Sequence, residues 1–402
     1  MINLETPKKF KMLSEQAHTV ALEVLRPISR KYDEAEHEYP KELDMLAALI
    51  DGMNDSGATS GAGAAGVSSS RSKETGNRNG TNMSSALGVM ETCWGDVGLV
   101  LSMPRQGLGN AAIAAVANEE QLLRYEGSWA AMAITEPEAG SDSAAIRTTA
   151  TLDGDEYVLN GEKIYVTAGE RAELVVVWAS LDRELGRSAI KSFVVERSNP
   201  GMILDRLEHK LGIRASDTAA FRLENCRVPA EDLLGSPDID TKRSFAGVMK
   251  TFDNTRPLVA AMAVGVAKAS LDFTRERLAE AGVEVDYDRP AHTQPSAAAT
   301  LLELESDLEA ARLLMMQAAW MADNSKPNSL HASYAKAKAG RAGTDIALRC
   351  IELCGSGGYD ESELLEKWAR DAKILDIFEG TQQIQQLIIA RMLLKKTSAD
   401  LK

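Results

Sequence analysis

The sequence predicts an α+β protein in three parts: helices, then a β region, then helices again. Three observations support this. Apolar residues recur at steps of three and four over most of residues 1–130. The period changes to two from about 131 to 238, where turn-forming pairs separate the apolar runs. Helical spacing then returns over residues 239–402. We therefore predict an N-terminal helical domain, a central antiparallel β domain and a C-terminal helical bundle.

Composition narrows the class of protein. The chain has 402 residues, is 44% hydrophobic and carries a formal charge of −14. The acidic balance argues against binding nucleic acid, which requires a basic face. No uninterrupted apolar run reaches the roughly 18 residues that a membrane helix needs. The four cysteines argue against a disulfide scaffold, and the N-terminus is polar with mixed charge, unlike a leader peptide. We expect a cytoplasmic protein with no nucleic-acid partner and no membrane span.

In the N-terminal part, one amphipathic helix is indicated by a single apolar stripe: Phe10, Leu13, Ala17, Val20 and Val24. A stretch rich in Gly, Ser and Asn follows, from 55 to about 85, and predicts a loop. Its three glycines at 61, 63 and 66 match a dinucleotide-binding pattern. That pattern has meaning only after a buried strand, and none precedes it, so low complexity explains it better.

The central part contains strong strand and turn signals. Asp153-Gly154 and Asn160-Gly161 are residue pairs that favour hairpin turns. The runs at 174–178 and 193–195 are apolar and rich in valine, which is typical of buried strands. In the C-terminal part, two apolar stripes at helical spacing and a third predicted helix from 381 to 395 indicate the bundle. One stripe consists of Val259, Met262, Val266, Ala269 and Phe273, and the other of Leu301, Leu304, Leu308, Ala311 and Met315.

Four segments carry a resemblance to a known family. They are MAITEPEAGSDS at 132–143, NGEKIYVT at 160–167, FDNTRP at 252–257, and RDAKI at 370–374 continuing into IFEGTQQIQ at 377–385. In their order and spacing, the chain resembles the acyl-CoA dehydrogenase family over nearly its whole length. The resemblance implies a C-terminal four-helix bundle, an FAD cofactor and α,β-desaturation of an acyl-CoA, with electrons passing to an electron-transfer flavoprotein.

The resemblance also implies which residues form the site. Thr135 would bond the pyrimidine edge of the flavin, and Thr167 would donate to its reacting nitrogen. The full set of implied flavin-binding residues is Met132, Ile134, Thr135, Gly140, Ser141, Tyr165, Val166, Thr167 and Thr381. Without the resemblance, the segment at 132–143 would be interpreted as a Pro/Gly turn. The segment at 160–167 would be interpreted as a strand that contains β-branched residues.

Glu379 is the implied catalytic base. Removing a proton next to a thioester needs a base held against that carbon, and burial raises the basicity of a carboxylate. The alternative is a glutamate in the first turn of a helix, favoured by the helix dipole. Ser141, Asp253 and Arg256 are implied to bind the acyl-CoA. For the last two, a helix ion pair at a spacing of three is the alternative.

Two departures from the family pattern concern residues that one chain donates to its neighbour's FAD. Glu284 lies near the position of a family arginine, and Glu352 replaces a family glutamine. An acid beside a pyrophosphate is repulsive. The departures suggest a heteromer in which a second, non-identical acyl-CoA dehydrogenase chain completes the site.

Other functions stay open at this stage. They are a non-catalytic structural partner in a heteromeric dehydrogenase, an acyl-CoA oxidase, and a flavin monooxygenase on the same fold. The five histidines (18, 37, 209, 292 and 331) show no ligand spacing along the chain, so the sequence predicts no metal site.

Overall fold

The computed structural model describes residues 5–55, 80–104, 108–239, 246–396 and 400. The glycine-rich stretch predicted to be a loop lies mostly outside these residues. Among its described residues, the N-terminal part contains seven α-helices: α1 Lys11–Val20, α2 Arg26–Ala35, α3 Glu42–Asp55, α4 Thr81–Gly95, α5 Val97–Leu101, α6 Leu108–Val116 and α7 Glu119–Arg124. A π-helical turn, Ala21–Leu25, joins α1 to α2. Pro27 follows it and has no N–H for a helical hydrogen bond, which accounts for the irregular turn.

The central part is one sheet of seven strands: β1 Ala130–Ala133, β2 Thr149–Asp153, β3 Glu156–Thr167, β4 Leu174–Ser180, β5 Ile190–Glu196, β6 Met202–Leu207 and β7 Thr218–Pro229. The order is β1-β4-β2-β3-β7-β6, and β5 also pairs with β4. The predicted antiparallel pairing holds for β2–β3, β3–β7, β4–β5 and β6–β7. β1 and β2 instead pair with β4 in parallel, a long-range arrangement that local sequence does not encode.

One turn prediction is wrong. Asp153-Gly154 does begin the hairpin between β2 and β3, but Asn160-Gly161 lies inside β3. The register against β7 shifts between Leu159 and Gly161, which marks a β-bulge. Gly161 has a φ of 153°, and a Cβ there would lie 2.4 Å from the Oγ1 of Thr148. The glycine is therefore required by close packing, and the turn-forming pair lies in a strand, opposite the extra residue of β7.

The C-terminal part contains the long helices α8 Ala246–Glu280, α9 Ser296–Asp323 and α10 Ser329–Cys354, followed by α11 Ser356–Tyr359, α12 Leu365–Leu375 and α13 Gln382–Leu393. α8 packs against α4, α9, α10 and α12. The two predicted stripes face the core, where all but Phe273 and Leu308 are fully buried. α8 also supplies the one helix among the described residues that is long and apolar enough to cross a membrane, Thr255–Glu280, and 78% of its apolar window is buried inside the protein.

A segment after β6, residues 208–217, joins the sheet to α12. The N–H of Ile213 donates to the Oδ1 of Asp371 at 2.5 Å. Asp371 in turn accepts from the Nζ of Lys367 at 2.6 Å, and Lys367 also bonds Asp96 at 2.8 Å. All three charged groups are fully buried. This cluster ties the N-terminal helices, the sheet and α12 together just before the chain reaches Glu379.

Candidate active site

The loop after β1 is held by one buried carboxylate, Glu136. It accepts from the Nζ of Lys163 at 2.7 Å, from the Oγ1 of Thr148 at 2.5 Å and from the backbone N–H groups of Thr148 and Arg147. Burial alone would raise the pKa of Glu136, but Lys163 and these hydrogen bonds outweigh it and hold the pKa below its ordinary value. Burial lowers the pKa of Lys163 to about 8, and Glu136 opposes that shift.

Glu136 and Lys163 were missed by sequence reasoning as the anchors of this loop. Both lie within the segments that carry the resemblance, but nothing in their spacing reveals that they pair. Lys163 also donates to the carbonyl of Ile134 at 3.2 Å. The pair therefore fixes the backbone on both sides of Thr135.

Seven of the nine predicted flavin-binding residues lie on this loop or on β3, whereas Met132 lies on β1 and Thr381 lies at the start of α13. The N–H of Ile164 donates to the carbonyl of Thr135 at 2.9 Å, which brings the loop against the strand. Tyr165 has a φ of 57° and is 62% exposed, so its ring stands out from the strand. Val166 is buried beneath it, and Thr167 is half-buried.

These residues fit a flat aromatic ligand. The hydroxyls of Thr135 and Thr167 are half-buried and hydrogen bond to no residue that the structure describes, so both are available to a ligand. Gly140 and Ser141 are exposed, and a Cβ at Gly140 would meet no atom within 4 Å. Met132 and Ile134 are half-buried and give the site an apolar side.

Glu379 lies in a strained turn between α12 and α13. Its φ is 56°, a left-handed conformation that a glutamate rarely adopts, and Gly380 follows with a φ of 92°. The turn is held through its carbonyl groups. The Nε2 of Gln385 donates to the carbonyls of Glu379 and Gly380 at 3.1 Å each. The Nζ of Lys336 donates to the carbonyl of Gly380 at 2.7 Å.

The predicted helix start after Glu379 is confirmed. Thr381 is the N-cap of α13, and its hydroxyl accepts from the N–H of Ile384 at 3.3 Å. Its own O–H remains able to donate to a ligand.

The Glu379 carboxyl has the environment of a base. Burial raises its pKa above the ordinary value, and the hydroxyl of Thr255 and the charges of Arg256 and Lys336 offset part of that shift. The Oγ1 of Thr255 donates to its Oε2 at 2.7 Å. The residue as a whole is only half-buried, so one side of it is open to a ligand. A carboxylate in this state accepts a proton more readily than one in water.

Lys336 is a further residue of this site that sequence reasoning missed. Its side chain is fully buried on α10, and burial lowers its pKa to about 8, opposed by Asp376 and Glu379. Gly340, one turn further along, allows the helix to approach the glutamate turn, because a Cβ there would lie 2.7 Å from the carbonyl of Leu375. A lysine among the alanines and glycines of a buried helix is the signal that could have revealed it.

The remaining predicted residues are placed as follows. Arg256 is buried and lies close enough to Glu379 to lower its pKa. Ser141 is exposed at the loop, and the side chain of Asp253 lies outside the described residues. Glu284 and Glu352 are both exposed, and Glu352 pairs with Arg349 at 2.5 Å.

Comparison with known proteins defines the family. The family model described as "Acyl-CoA dehydrogenase, middle domain" matches residues 131–226, and "Acyl-CoA dehydrogenase, C-terminal domain" matches 245–394. The mitochondrial short-chain specific acyl-CoA dehydrogenase of Bos taurus is 33% identical over 401 residues, covering 98% of this chain and 92% of the relative.

Solved structures that are similar to this chain indicate the same family. Butyryl-CoA dehydrogenase from Megasphaera elsdenii is similar with a TM-score of 0.82 and 27% identity, covering 98% of this chain and 100% of that one. A chain in a structure described as the electron transferring flavoprotein of Acidaminococcus fermentans has a TM-score of 0.82 and 30% identity, with the same coverage. The fold and site define an oxidoreductase acting on CH–CH bonds. The chain belongs to the acyl-CoA dehydrogenase family.

Proposed function

We propose that this chain is an FAD-dependent acyl-CoA dehydrogenase in which Glu379 is the catalytic base. The observation that carries the proposal is the geometry of the glutamate turn. A carboxyl of raised pKa is held by Thr255 and remains open on one side. A structural glutamate would gain nothing from desolvation, which costs free energy unless the charge is used or paired.

The reaction requires two hydrogens to leave adjacent carbons. The ionised carboxylate of Glu379 takes the proton from the carbon next to the thioester carbonyl. The electrons of that C–H bond form the new double bond, while the hydrogen of the next carbon leaves with its electron pair. Negative charge that develops on the thioester oxygen needs a donor, and the backbone N–H of Glu379 is the donor that the resemblance implies.

FAD, when bound, supplies the acceptor for that hydride. Thr135, Thr167 and the ring of Tyr165 would hold it, together with the exposed backbone at Gly140 and Ser141. The two hydroxyls without protein partners among the described residues support this assignment. Met132, Ile134 and Val166 would support the site from its apolar side, and Thr381 would donate from the other part of the chain.

The substrate and acceptor are proposed by similarity. The relatives include a short-chain specific enzyme and a butyryl-CoA dehydrogenase, so a short acyl-CoA is the first substrate to assay. Ser141, Asp253 and Arg256 would contact it. The similarity to a chain from an electron transferring flavoprotein structure supports an electron-transfer flavoprotein as the acceptor.

Reduction of the bound flavin by butyryl-CoA tests the proposal. In wild-type protein loaded with FAD, we expect the flavin absorbance to bleach. In Glu379→Gln, the rate should fall by about a hundredfold to ten-thousandfold, the usual contribution of a general base. Glu303→Gln is the matched control, because Glu303 is exposed on α9.

A Glu379→Gln protein that binds FAD and reduces it at the wild-type rate would overturn the base assignment. Rapid reoxidation of the reduced protein by oxygen alone would instead favour an acyl-CoA oxidase.

We also propose that the active assembly contains a second, non-identical chain. The exposed acids Glu284 and Glu352 would face a neighbour's FAD in a homo-oligomer, where they would repel its pyrophosphate. Flavin counted per chain after expression alone is the test. We expect well below one FAD per chain, and stoichiometric FAD in a homo-oligomer would contradict the proposal.

A further inference from the structure

A cluster of potential metal ligands lies away from the glutamate turn. Glu36 and His37 directly follow α2, and His209 follows β6. One ligand atom from each of the three side chains lies within 4.8 Å of the other two. The Nδ1 of His209 is 2.7 Å from the Oε2 of Glu36. The rings of the two histidines are 5.3 Å apart between centroids, with an angle of 58° between their planes.

The imidazole nitrogens of His37 have no hydrogen-bond partner among the described residues. Both nitrogens are buried. Buried polar atoms are nearly always satisfied, so an orphaned imidazole points to a group that binds there. The backbone of this residue is also bonded, because the carbonyl of His37 accepts from the Nη2 of Arg171 at 3.5 Å.

We propose that Glu36, His37 and His209 bind one Zn²⁺ ion. Two imidazoles and a carboxylate are a ligand set that zinc prefers, at metal–ligand distances of about 2.0–2.2 Å. In a tetrahedral site, ligand atoms are then about 3.3 Å apart, whereas here one pair is 2.7 Å apart and all lie within 4.8 Å of one another. The adjustment falls on His209, because its side chain is 83% exposed. The fourth position is left for water.

The surrounding charges allow a cation. The backbone N–H of Lys210 donates to the Oε1 of Glu36 at 3.2 Å and orients the carboxylate, as outer hydrogen bonds do at metal sites. The ammonium of Lys210 donates to the carbonyl of Ser216 at 2.8 Å, and it lies close enough to act electrostatically on Glu36 and His37. Arg171 forms an ion pair with Asp217 at 3.3 Å. The Glu36 carboxylate therefore supplies the negative charge that the ion meets.

The ion would fasten two parts of the protein. Glu36 and His37 belong to the N-terminal helices, while His209 belongs to the 208–217 segment that joins the sheet to α12. Binding only to the folded state, zinc would stabilise this junction by mass action. Because the proposal concerns assembly of the fold and not the reaction, it stands or falls independently of the role of Glu379.

Isothermal titration of the full chain with ZnCl₂, after treatment with a chelator, tests the proposal. We expect one equivalent of Zn²⁺ and a rise in Tm on adding it. In His209→Ala and in His37→Ala, the affinity should fall at least about tenfold and the rise in Tm should disappear. His292→Ala is the matched control, because His292 is exposed elsewhere on the surface, and it should bind as the wild type does.

His209→Ala keeps the test informative if the buried His37 variant fails to fold, because its exposed side chain can be removed without opening the core. Equal circular dichroism spectra and equal Tm without zinc would show that this variant is folded. Wild-type protein that takes up no Zn²⁺, or a folded His209→Ala that takes it up as tightly as the wild type, would overturn the proposal.

Discussion

The loop at 134–141 and the turn at 376–382 hold their functional groups in different ways. In the loop, a buried ion pair, Glu136–Lys163, fixes the backbone, and the hydroxyls of Thr135 and Thr167 are left without protein partners among the described residues. In the turn, the functional group itself is bound by Thr255, and the strained backbone is held through its carbonyls by Lys336 and Gln385. In the proposed function, the loop would bind the flavin, whereas the turn would hold the base that removes a proton.

The difference indicates which substitutions should disturb each site. In each region, the residues that hold the geometry are not those that would do the chemistry. The anchors are fully buried lysines, Lys163 and Lys336, whose charge must be compensated. Changes at the anchors should therefore affect the two regions in different ways, and the variants below test that distinction.

The largest effect is expected from Glu136→Gln. It removes the carboxylate that compensates the buried Lys163, and breaking a buried ion pair from one side costs about 3–5 kcal/mol. Thermal unfolding should show a lower Tm, and protein titrated with FAD should bind it more weakly than the wild type does. Glu138→Gln is the control, because Glu138 lies on the same loop in an exposed ion pair with Arg147. Equal Tm and equal FAD affinity in both variants would show that the ion pair does not anchor the loop.

A smaller effect is expected from Lys336→Met. It removes the hydrogen bond to the carbonyl of Gly380, which for a charged donor is worth about 1.5–3 kcal/mol. It also removes a positive charge that lowers the pKa of Glu379. Because Glu379 must be ionised to act, activity rises with pH through its pKa, and the acid limb of the pH–rate profile should move to higher pH.

Lys338→Met is the control for this shift. Lys338 lies on the same helix and pairs with Asp307 at 2.6 Å, away from the glutamate turn. Its pH–rate profile should match that of the wild type. If Lys336→Met lowers activity with no change in the profile, its role is structural alone.

The smallest effect is expected from Thr255→Val. It removes the hydrogen bond to the Glu379 carboxyl, which for an ionised acceptor is worth about 1.5–3 kcal/mol, but it removes no charge and nearly preserves shape. That bond lowers the pKa of Glu379, so the acid limb should again move to higher pH. Thr92→Val, whose hydroxyl bonds the backbone of its own helix, provides the comparison. An unchanged profile in Thr255→Val would show that this hydroxyl does not tune the base.

Local pattern predicted much of this architecture. The apolar stripes that begin at Val259 and at Leu301 correctly predicted α8 and α9, because the buried face of a helix repeats every three to four residues. The valine-rich runs became β4 and β5. The predicted helix from 381 to 395 is observed as Gln382–Leu393 with Thr381 as its cap. The domain boundaries and the roles of the site residues remain predictions.

Several tertiary features could not be predicted from the sequence. Asn160-Gly161 has the same local chemistry as a hairpin turn, but the pair lies within β3, where Gly161 packs against Thr148. The parallel pairing of β1 with β4 joins strands separated by more than 40 residues, so no local period encodes it. His37 and His209 show no ligand spacing along the chain, yet the fold places their rings side by side. Similarly, Lys336 and Glu379 meet only after α10 packs on the turn.

The central claim is that Glu379 removes the proton next to the thioester. Incorporation of deuterium at that carbon of butyryl-CoA measures this step directly, using FAD-loaded protein in D₂O without oxygen and detection by mass spectrometry. We predict exchange with the wild type and with Glu303→Gln, and exchange at least about a hundredfold slower with Glu379→Gln. Exchange at the wild-type rate in a folded Glu379→Gln protein that binds FAD would contradict the claim.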